Sequence, residues 1–309
     1  LYEVLVNKGY LVAHEDVTAS NIQRDPDCYR VIAPEIIPYI AYPYEWSFSQ
    51  LQDAAMLTLR IQTVALQHGY ILKDASAYNV QFKDGKPVFI DSLSFEPYVE
   101  GAPWVAYRQF CQHFLAPLAL MARVDIGLGK LLVTYIDGIP LALESRLLPL
   151  TSRLNYSLQT HIHLHAKMQD TYADAAGTPT TAKSSATQNL RQLSKTGLQA
   201  IVESLASAIK RQQWQPPQTE WGDYYENTNY SDGSTDEKRR LVDDYLSSID
   251  EPLNVVHDLG ANTGEFSRIA ARHASLVVSQ DIDPVAVERN YRRLVSGSPK
   301  NVLPLLQDL

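Results

Sequence analysis

The strongest constraint on the fold is an alternation of apolar runs and amphipathic stretches in the last third of the chain. "LNVVHDLG" predicts a buried strand, "EFSRIAARHA" a helix and "LVVSQDID" a second strand. "PVAVERNYRRLVSG" predicts a helix opened by a proline in its first turn, and "VLPLLQDL" predicts a third strand. This β-α-β-α-β order predicts a parallel, doubly wound α/β sheet.

The turn after the first of these strands reads "DLGANTG", residues 258–264. Gly260 and Gly264 permit positive φ and a close approach of the backbone to a ligand, and Asn262 tolerates the left-handed region better than most residues. The spacing is not the G-x-G-x-x-G of dinucleotide-binding folds. Asp258 at the strand end would repel a pyrophosphate and suits a cationic or hydroxyl-bearing ligand.

The next two strands also end in acids. Asp281 follows "LVVSQ", roughly twenty residues beyond the turn, where a carboxylate binds ribose hydroxyls in such sheets. Asp283 is an alternative, although its place before Pro284 favours a helix cap. Asp308 ends the third strand, from which a side chain would reach an adenine amino group.

These residues resemble the class I S-adenosylmethionine-dependent methyltransferases, whose first motif is an acid-x-Gly-x-Gly-x-Gly turn. "DLGANTG" matches it, with Asn262 at the middle glycine. The resemblance implies a Rossmann-like domain that binds S-adenosyl-L-methionine. An ordinary βα turn with acids that cap helices is the alternative.

The resemblance also implies a place for each part of the cofactor. The methionine part would bind near Asp258 and Gly260, the ribose at Asp281, and the adenine near Ile282 and Asp308. It covers roughly residues 220–309, the first half of such a domain, so no catalytic base is named. "WGDYYENTNY" (221–230) would either lie over the cofactor or pack in a core.

A second motif lies in the N-terminal region. A long amphipathic helix is predicted over residues 48–70, and "ILKDASAYNVQFKDGKPVFID" follows it. Within this stretch "NVQF" and "KPVFID" predict a hairpin that turns at Asp84-Gly85. Asp74 lies five residues before Asn79, and Asp91 ends the second strand.

This spacing resembles the catalytic lobe of protein kinases and aminoglycoside phosphotransferases, which implies an α+β domain that binds Mg²⁺ and ATP. Asp74 would then be the hydroxyl-orienting base, Asn79 a metal ligand and Asp91 the main magnesium ligand. Lys73 and the "SLS" after Asp91 depart from the pattern, and no Gly-rich phosphate loop can be assigned. An active phosphotransferase, a non-transferring binding module and a coincidental hairpin all remain open.

The domain boundaries follow from one compositional break. Residues 170–189 are rich in Ala, Thr and Ser and predict a linker, and apolar residues at helical spacing predict a helix over 190–212. The predicted domains are therefore 1–169, kinase-like; 170–218, linker and helix; and 219–309, the first half of the methyltransferase-like domain. "HIHLH" (161–165) indicates either a metal-binding face or, preferably, a partly buried polar face.

Charge and cysteine usage limit the partners. A net charge of −8 argues against non-specific electrostatic binding to nucleic acid or to an anionic membrane. Two distant cysteines favour a reducing, cytoplasmic setting, and the most apolar stretch (114–124) is too short to span a bilayer. The whole chain resembles bacterial nodulation-associated, methyltransferase-like proteins. The methyl acceptor and the oligomeric state stay open.

Overall fold

The computed structural model describes residues 1–18, 27–164, 194–219 and 232–308. The predicted linker at 170–189 and the aromatic stretch at 221–230 lie outside these residues.

The N-terminal region is built from helices and three short two-stranded sheets. Its strands are β1 (His14–Asp16), β2 (Ile32–Pro34), β3 (Tyr70–Leu72), β4 (Val80–Lys83), β5 (Lys86–Phe89) and β6 (Phe95–Pro97). The antiparallel pairs are β1 with β2, β3 with β6, and β4 with β5. The predicted hairpin is confirmed, because Asp84 and Gly85 connect β4 to β5 with φ of +51° and +70°, as a type I′ turn requires.

Eight helices belong to the described part of this region and the segment that follows it. They are α1 (Tyr2–Asn7), α2 (Phe48–Gln67), α3 (Tyr107–Phe110), α4 (Ala116–Arg123), α5 (Leu131–Thr134), α6 (Leu141–Leu147), α7 (Tyr156–Leu158) and α8 (Lys195–Arg211). A π-helical segment, Cys111–Leu115, joins α3 to α4, and a second one, Gln159–His163, follows α7. Short 3₁₀ turns lie at Pro43–Glu45, Ala77–Asn79, Ile126–Lys130 and Leu150–Leu154.

Helix α2 is the centre of the core. Ser47 and Gln50 form a reciprocal capping box at its start, which satisfies two amide groups that the helix leaves unpaired. The helix is apolar on most of its circumference, so it is buried on more than one side. Helix α8 packs against it through Leu198, Leu205 and Ile209.

The C-terminal part has the predicted alternation of strands and helices. The prediction that the first strand is buried was wrong, because that strand lies at the edge of the sheet and none of its residues is buried. Its elements are α9 (Asp232–Ser247), β7 (Leu253–Leu259), α10 (Glu265–Ala270), β8 (Ala274–Asp281), α11 (Pro284–Val295) and β9 (Val302–Leu306). The three strands are parallel in the order β7-β8-β9. The turns after β7, β8 and β9 therefore lie at one edge of the sheet.

The two faces of this sheet pack against different parts of the chain. Val277 and Val302 belong to a small apolar cluster with residues of α10 and α11. Val278, Leu303 and Leu305, on the other face, belong to the large core of the N-terminal region. The apolar core is thus continuous from α2 into the sheet.

Hydrogen bonds between polar side chains connect α11 to the first turns of α2. Glu288 is fully buried, and its carboxylate accepts from the Ser49 backbone N–H at 2.9 Å and from the Ser49 hydroxyl at 2.5 Å. The Tyr291 hydroxyl donates to Asp53 at 2.8 Å. A negative charge at the N-terminal turn of α2 is favourable because of the helix dipole.

Across the ranges that the structure describes, no helix combines the length and the apolar character that crossing a bilayer requires.

Candidate functional site at the carboxyl edge of the parallel sheet

The glycine turn between β7 and α10 has three residues in the left-handed region. The φ angles are +74° at Gly260, +52° at Asn262 and +75° at Gly264. A Cβ on Gly260 would meet no atom within 4 Å, whereas a Cβ on Gly264 would lie 2.3 Å from the Asn290 side chain. Gly260 therefore faces open space at the sheet edge, and Gly264 allows the turn to pack against α11.

Asp258 lies at the end of β7 within a hydrogen-bonded network. The Ser267 hydroxyl donates to its Oδ2 at 2.6 Å and lies 2.7 Å from the Ser279 hydroxyl. Asn290 Nδ2 donates to that Ser279 oxygen at 2.8 Å. Burial raises the pKa of Asp258, and the neighbouring Asp281 raises it further, while the bond from Ser267 opposes both. A cation beside Asp258 would stabilise its ionised form.

Asp281, at the end of β8, holds the turn in place. Its Oδ2 accepts from the Asn262 N–H at 2.7 Å, and its Oδ1 accepts from the Asp283 N–H at 2.9 Å. Each carboxylate oxygen can accept a second bond, so Asp281 keeps the capacity to bind hydroxyl groups. Asp283 caps α11 by accepting from the Val285 N–H at 2.8 Å, which confirms its predicted capping role.

The remaining two predicted contacts lie at the same edge. Ile282, directly after Asp281, is 54% exposed, and Asp308, two residues after β9, is also exposed. Both residues follow the carboxyl ends of their strands, so they lie at the same edge of the sheet as the turn at Gly260. The structure thus brings the residues predicted for each part of the cofactor to one edge of one sheet.

Among the N-terminal candidate residues, Asn79 lies near Asp91, whereas the contacts of Asp74 are to its own loop and to α3. Asp74 Oδ1 accepts from the Ser76 N–H and from Gln109 Nε2, both at 2.9 Å. The Ile90 N–H donates to the Asn79 carbonyl at 2.8 Å, which puts Asn79 beside the strand that leads to Asp91. The Asn79 side-chain nitrogen is buried, with no hydrogen-bond partner among the described residues.

Both carboxylate oxygens of Asp91 accept hydrogen bonds from residues of its own loop. Its Oδ1 accepts from the Leu93 N–H at 2.8 Å, and its Oδ2 accepts from the Ser94 hydroxyl. Within the described ranges, no group of three or more His, Cys, Asp or Glu residues is placed to hold a metal ion. The loop contacts of Asp91 are those expected of a turn residue, and its predicted magnesium role stays a prediction.

His113 is a buried titratable residue near Asp74 that the sequence pattern did not single out. Burial lowers the pKa of His113 to about 4, against the opposing attraction of Asp74 and Asp137. The imidazole is therefore neutral at neutral pH, and it meets Tyr78 edge-on at 6.1 Å between ring centroids. It lies within an apolar helical stretch, "CQHFLAP", where no local signal distinguishes it from a core residue.

Two of the three histidines of "HIHLH", His161 and His163, make hydrogen bonds to other side chains through both ring nitrogens. His161 contacts the Tyr107 hydroxyl at 2.6 Å and the Ser204 hydroxyl at 2.9 Å, each through a different ring nitrogen. His163 contacts Ser145 and Ser152 in the same way, both at 2.8 Å. Both ring nitrogens of each residue are occupied, which agrees with the buried polar face. His165 lies outside the described residues.

Comparison with known proteins finds one informative relative. The chain is 34% identical over 307 residues to the nodulation protein NoeA of Rhizobium meliloti (strain 1021). The match covers 98% of this chain and 63% of that relative, so the chain spans less than two thirds of the length of the relative. The predicted similarity to nodulation-associated proteins is confirmed.

No protein-family model matches the chain, and no solved structure matches it.

Proposed function

We propose that the chain is part of an S-adenosylmethionine-dependent methyltransferase whose Rossmann-like domain begins with the sheet β7-β8-β9. One observation carries the proposal: the open turn at Gly260 and the acids Asp281 and Asp308 lie at the carboxyl edge of adjacent parallel strands. Ligands of open α/β sheets bind at this edge. Residues 1–169 are proposed to be a kinase-like domain, and residues 170–218 a linker and helix.

The residues at the edge suit the chemical groups of the cofactor. Its amino group is cationic and would stabilise the charged form of Asp258, whose pKa burial raises. The ribose hydroxyls would donate to Asp281, which keeps acceptor capacity on both oxygens. The open space at Gly260 admits the methionine chain without a steric conflict from a side chain.

The cofactor supplies a methyl group that its sulfonium centre already activates. The protein then has to align an acceptor with that group and, where needed, remove a proton. The acceptor stays open among carbohydrate, lipid-linked glycan, protein and small metabolite. The name of the relative makes nodulation the first process in which to look for the acceptor. The unpaired cysteines Cys28 and Cys111 support a cytoplasmic location.

Substitution of Asp281 tests the proposal. Asp281→Ala in the full-length protein should weaken binding of S-adenosylhomocysteine by about a hundredfold, because two hydrogen bonds to a charged group are lost. Asp281→Asn keeps one acceptor oxygen and should lie between the alanine variant and the wild type. Calorimetric titration measures each dissociation constant.

The matched control is Asp250→Ala, since Asp250 is an exposed acid after α9 and away from the turn. It should bind like the wild type. Equal affinity of the wild type and Asp281→Ala would refute the proposed ribose contact.

A phosphotransferase or nucleotide-binding function of the N-terminal region is the second candidate. It is favoured by the proximity of Asn79 to the Asp91 strand and by the unpartnered, buried Asn79 amide, which a bound ligand could satisfy. Magnesium-dependent ATP turnover that disappears in Asp91→Ala is the expected result for this rival. Turnover that survives the substitution would exclude the assigned metal ligand.

A further inference from the structure

Gln280 connects the glycine turn to both neighbouring strands. Its backbone carbonyl accepts from the N–H groups of Gly260 and Ala261, both at 2.9 Å. Its side-chain oxygen accepts from His257 Nδ1 at 2.9 Å, and its side-chain nitrogen donates to the Gln307 side-chain oxygen. Gln280 is buried, whereas its side-chain partners His257 and Gln307 are partly accessible to water.

The N-terminal region completes this chain of hydrogen bonds. Gln307 Nε2 donates to Glu45 Oε1 at 2.6 Å, although the two residues are 262 positions apart. The other Glu45 oxygen accepts from the Tyr42 N–H at 2.7 Å, which fixes the carboxylate in the short turn Pro43–Glu45. The charge on Glu45 makes its bond to Gln307 stronger than a bond between neutral groups.

Gln307 also links this chain of bonds to the predicted cofactor contacts through the backbone. Its N–H donates to the carbonyl of Asp281 at 2.9 Å, and Asp308 is the next residue. A displacement of Gln307 would therefore move both acids that are proposed to hold the ribose and the adenine. It would also move Gln280, whose backbone carbonyl accepts the hydrogen bonds from Gly260 and Ala261 in the turn.

We propose that Glu45 is a positioning residue for the S-adenosylmethionine site, an inference that rests on the proposed function. Glu45 acts through Gln307 and Gln280 and holds the glycine turn and the adenine-side loop in their binding geometry. The N-terminal region thus contributes to cofactor affinity without a direct contact to the cofactor. Networks of buried hydrogen bonds stabilise a single arrangement only when each member is satisfied.

Introduction of a negative charge at Gln307, followed by a compensating substitution at Glu45, tests this role in the full-length protein. Gln307→Glu sets two carboxylates against each other, whereas its side chain can still accept from Gln280. Binding of S-adenosylhomocysteine should weaken by roughly tenfold or more, and amide hydrogen exchange at residues 260–262 should accelerate. The second substitution Glu45→Gln restores a donor–acceptor pair, and the double variant should recover to within about threefold of wild-type affinity.

The control is Gln213→Glu, the same change at an exposed position that follows α8. It should leave affinity and exchange at residues 260–262 as they are in the wild type. Gln307→Glu with affinity within about twofold of wild type, or a double variant as weak as the single one, would overturn the proposed role of Glu45.

The exchange measurement separates this inference from the proposed function. If the wild type binds no S-adenosylhomocysteine, the proposed function fails and the positioning role in cofactor binding fails with it. The positioning of the turn is then judged on the ligand-free protein alone. Acceleration at residues 260–262 in Gln307→Glu, reversed in the double variant, supports it, and unchanged exchange overturns it.

Discussion

Replacement of Gly264 by alanine is expected to lower the free energy of unfolding by about 2–5 kcal/mol. The residue has a φ of +75°, which a residue with a Cβ adopts at a cost of roughly 1–2 kcal/mol. The added Cβ would also lie 2.3 Å from the side chain of Asn290, which is 1% exposed and cannot move into solvent. Chemical denaturation measures the change.

Gly260→Ala is the matched control for this effect. Gly260 has nearly the same φ, +74°, but an added Cβ would enter open space. Its cost should be the backbone strain alone, about 1–2 kcal/mol, while S-adenosylhomocysteine binding falls because the methyl group occupies the proposed cofactor space. Equal destabilisation by the two substitutions would contradict the packing of Gly264 against Asn290.

Replacement of Glu288 by alanine is expected to lower the free energy of unfolding by roughly 3 kcal/mol. The substitution leaves two donors of Ser49, at the start of α2, without their acceptor in a buried site. It also removes the 2.7 Å contact to Arg292, which contributes less because that side chain is 41% exposed. The thermal midpoint of the full chain measures the loss.

Glu203→Ala serves as the control, because Glu203 is an exposed acid on α8. Its effect should stay within about 0.5 kcal/mol. A Glu288→Ala variant as stable as this control would mean that the contact between α11 and α2 does not hold the two regions together.

Local pattern was sufficient to predict the elements of the C-terminal sheet and the β4–β5 hairpin. The period of apolar residues identified the strands, and the aspartate–glycine pair identified the hairpin turn, because each depends on residues adjacent in sequence. The long helix was also predicted, although it ends at Gln67 rather than at residue 70. At the candidate site, the turn and the two strand-end acids were predicted for the same reason.

Contacts between residues that are far apart in the sequence could not be predicted from local pattern. Glu288 pairs with Ser49 across 239 positions, and Gln307 with Glu45 across 262. These are polar residues of types that are common at exposed positions, so the sequence gives no sign of their distant partners. The π-helical segment at Cys111–Leu115 and the burial of His113 also depend on tertiary packing, which overrides the local helical pattern.

A calorimetric titration of the full-length protein with S-adenosylhomocysteine, repeated in the presence of magnesium and ATP, tests whether the carboxyl edge of the parallel sheet binds the cofactor. We expect saturable binding of one ligand per chain that Asp281→Ala weakens by about a hundredfold and that ATP does not displace. Absence of binding, binding that Asp281→Ala leaves unchanged, or displacement by ATP would contradict a cofactor site at the carboxyl edge of β7, β8 and β9.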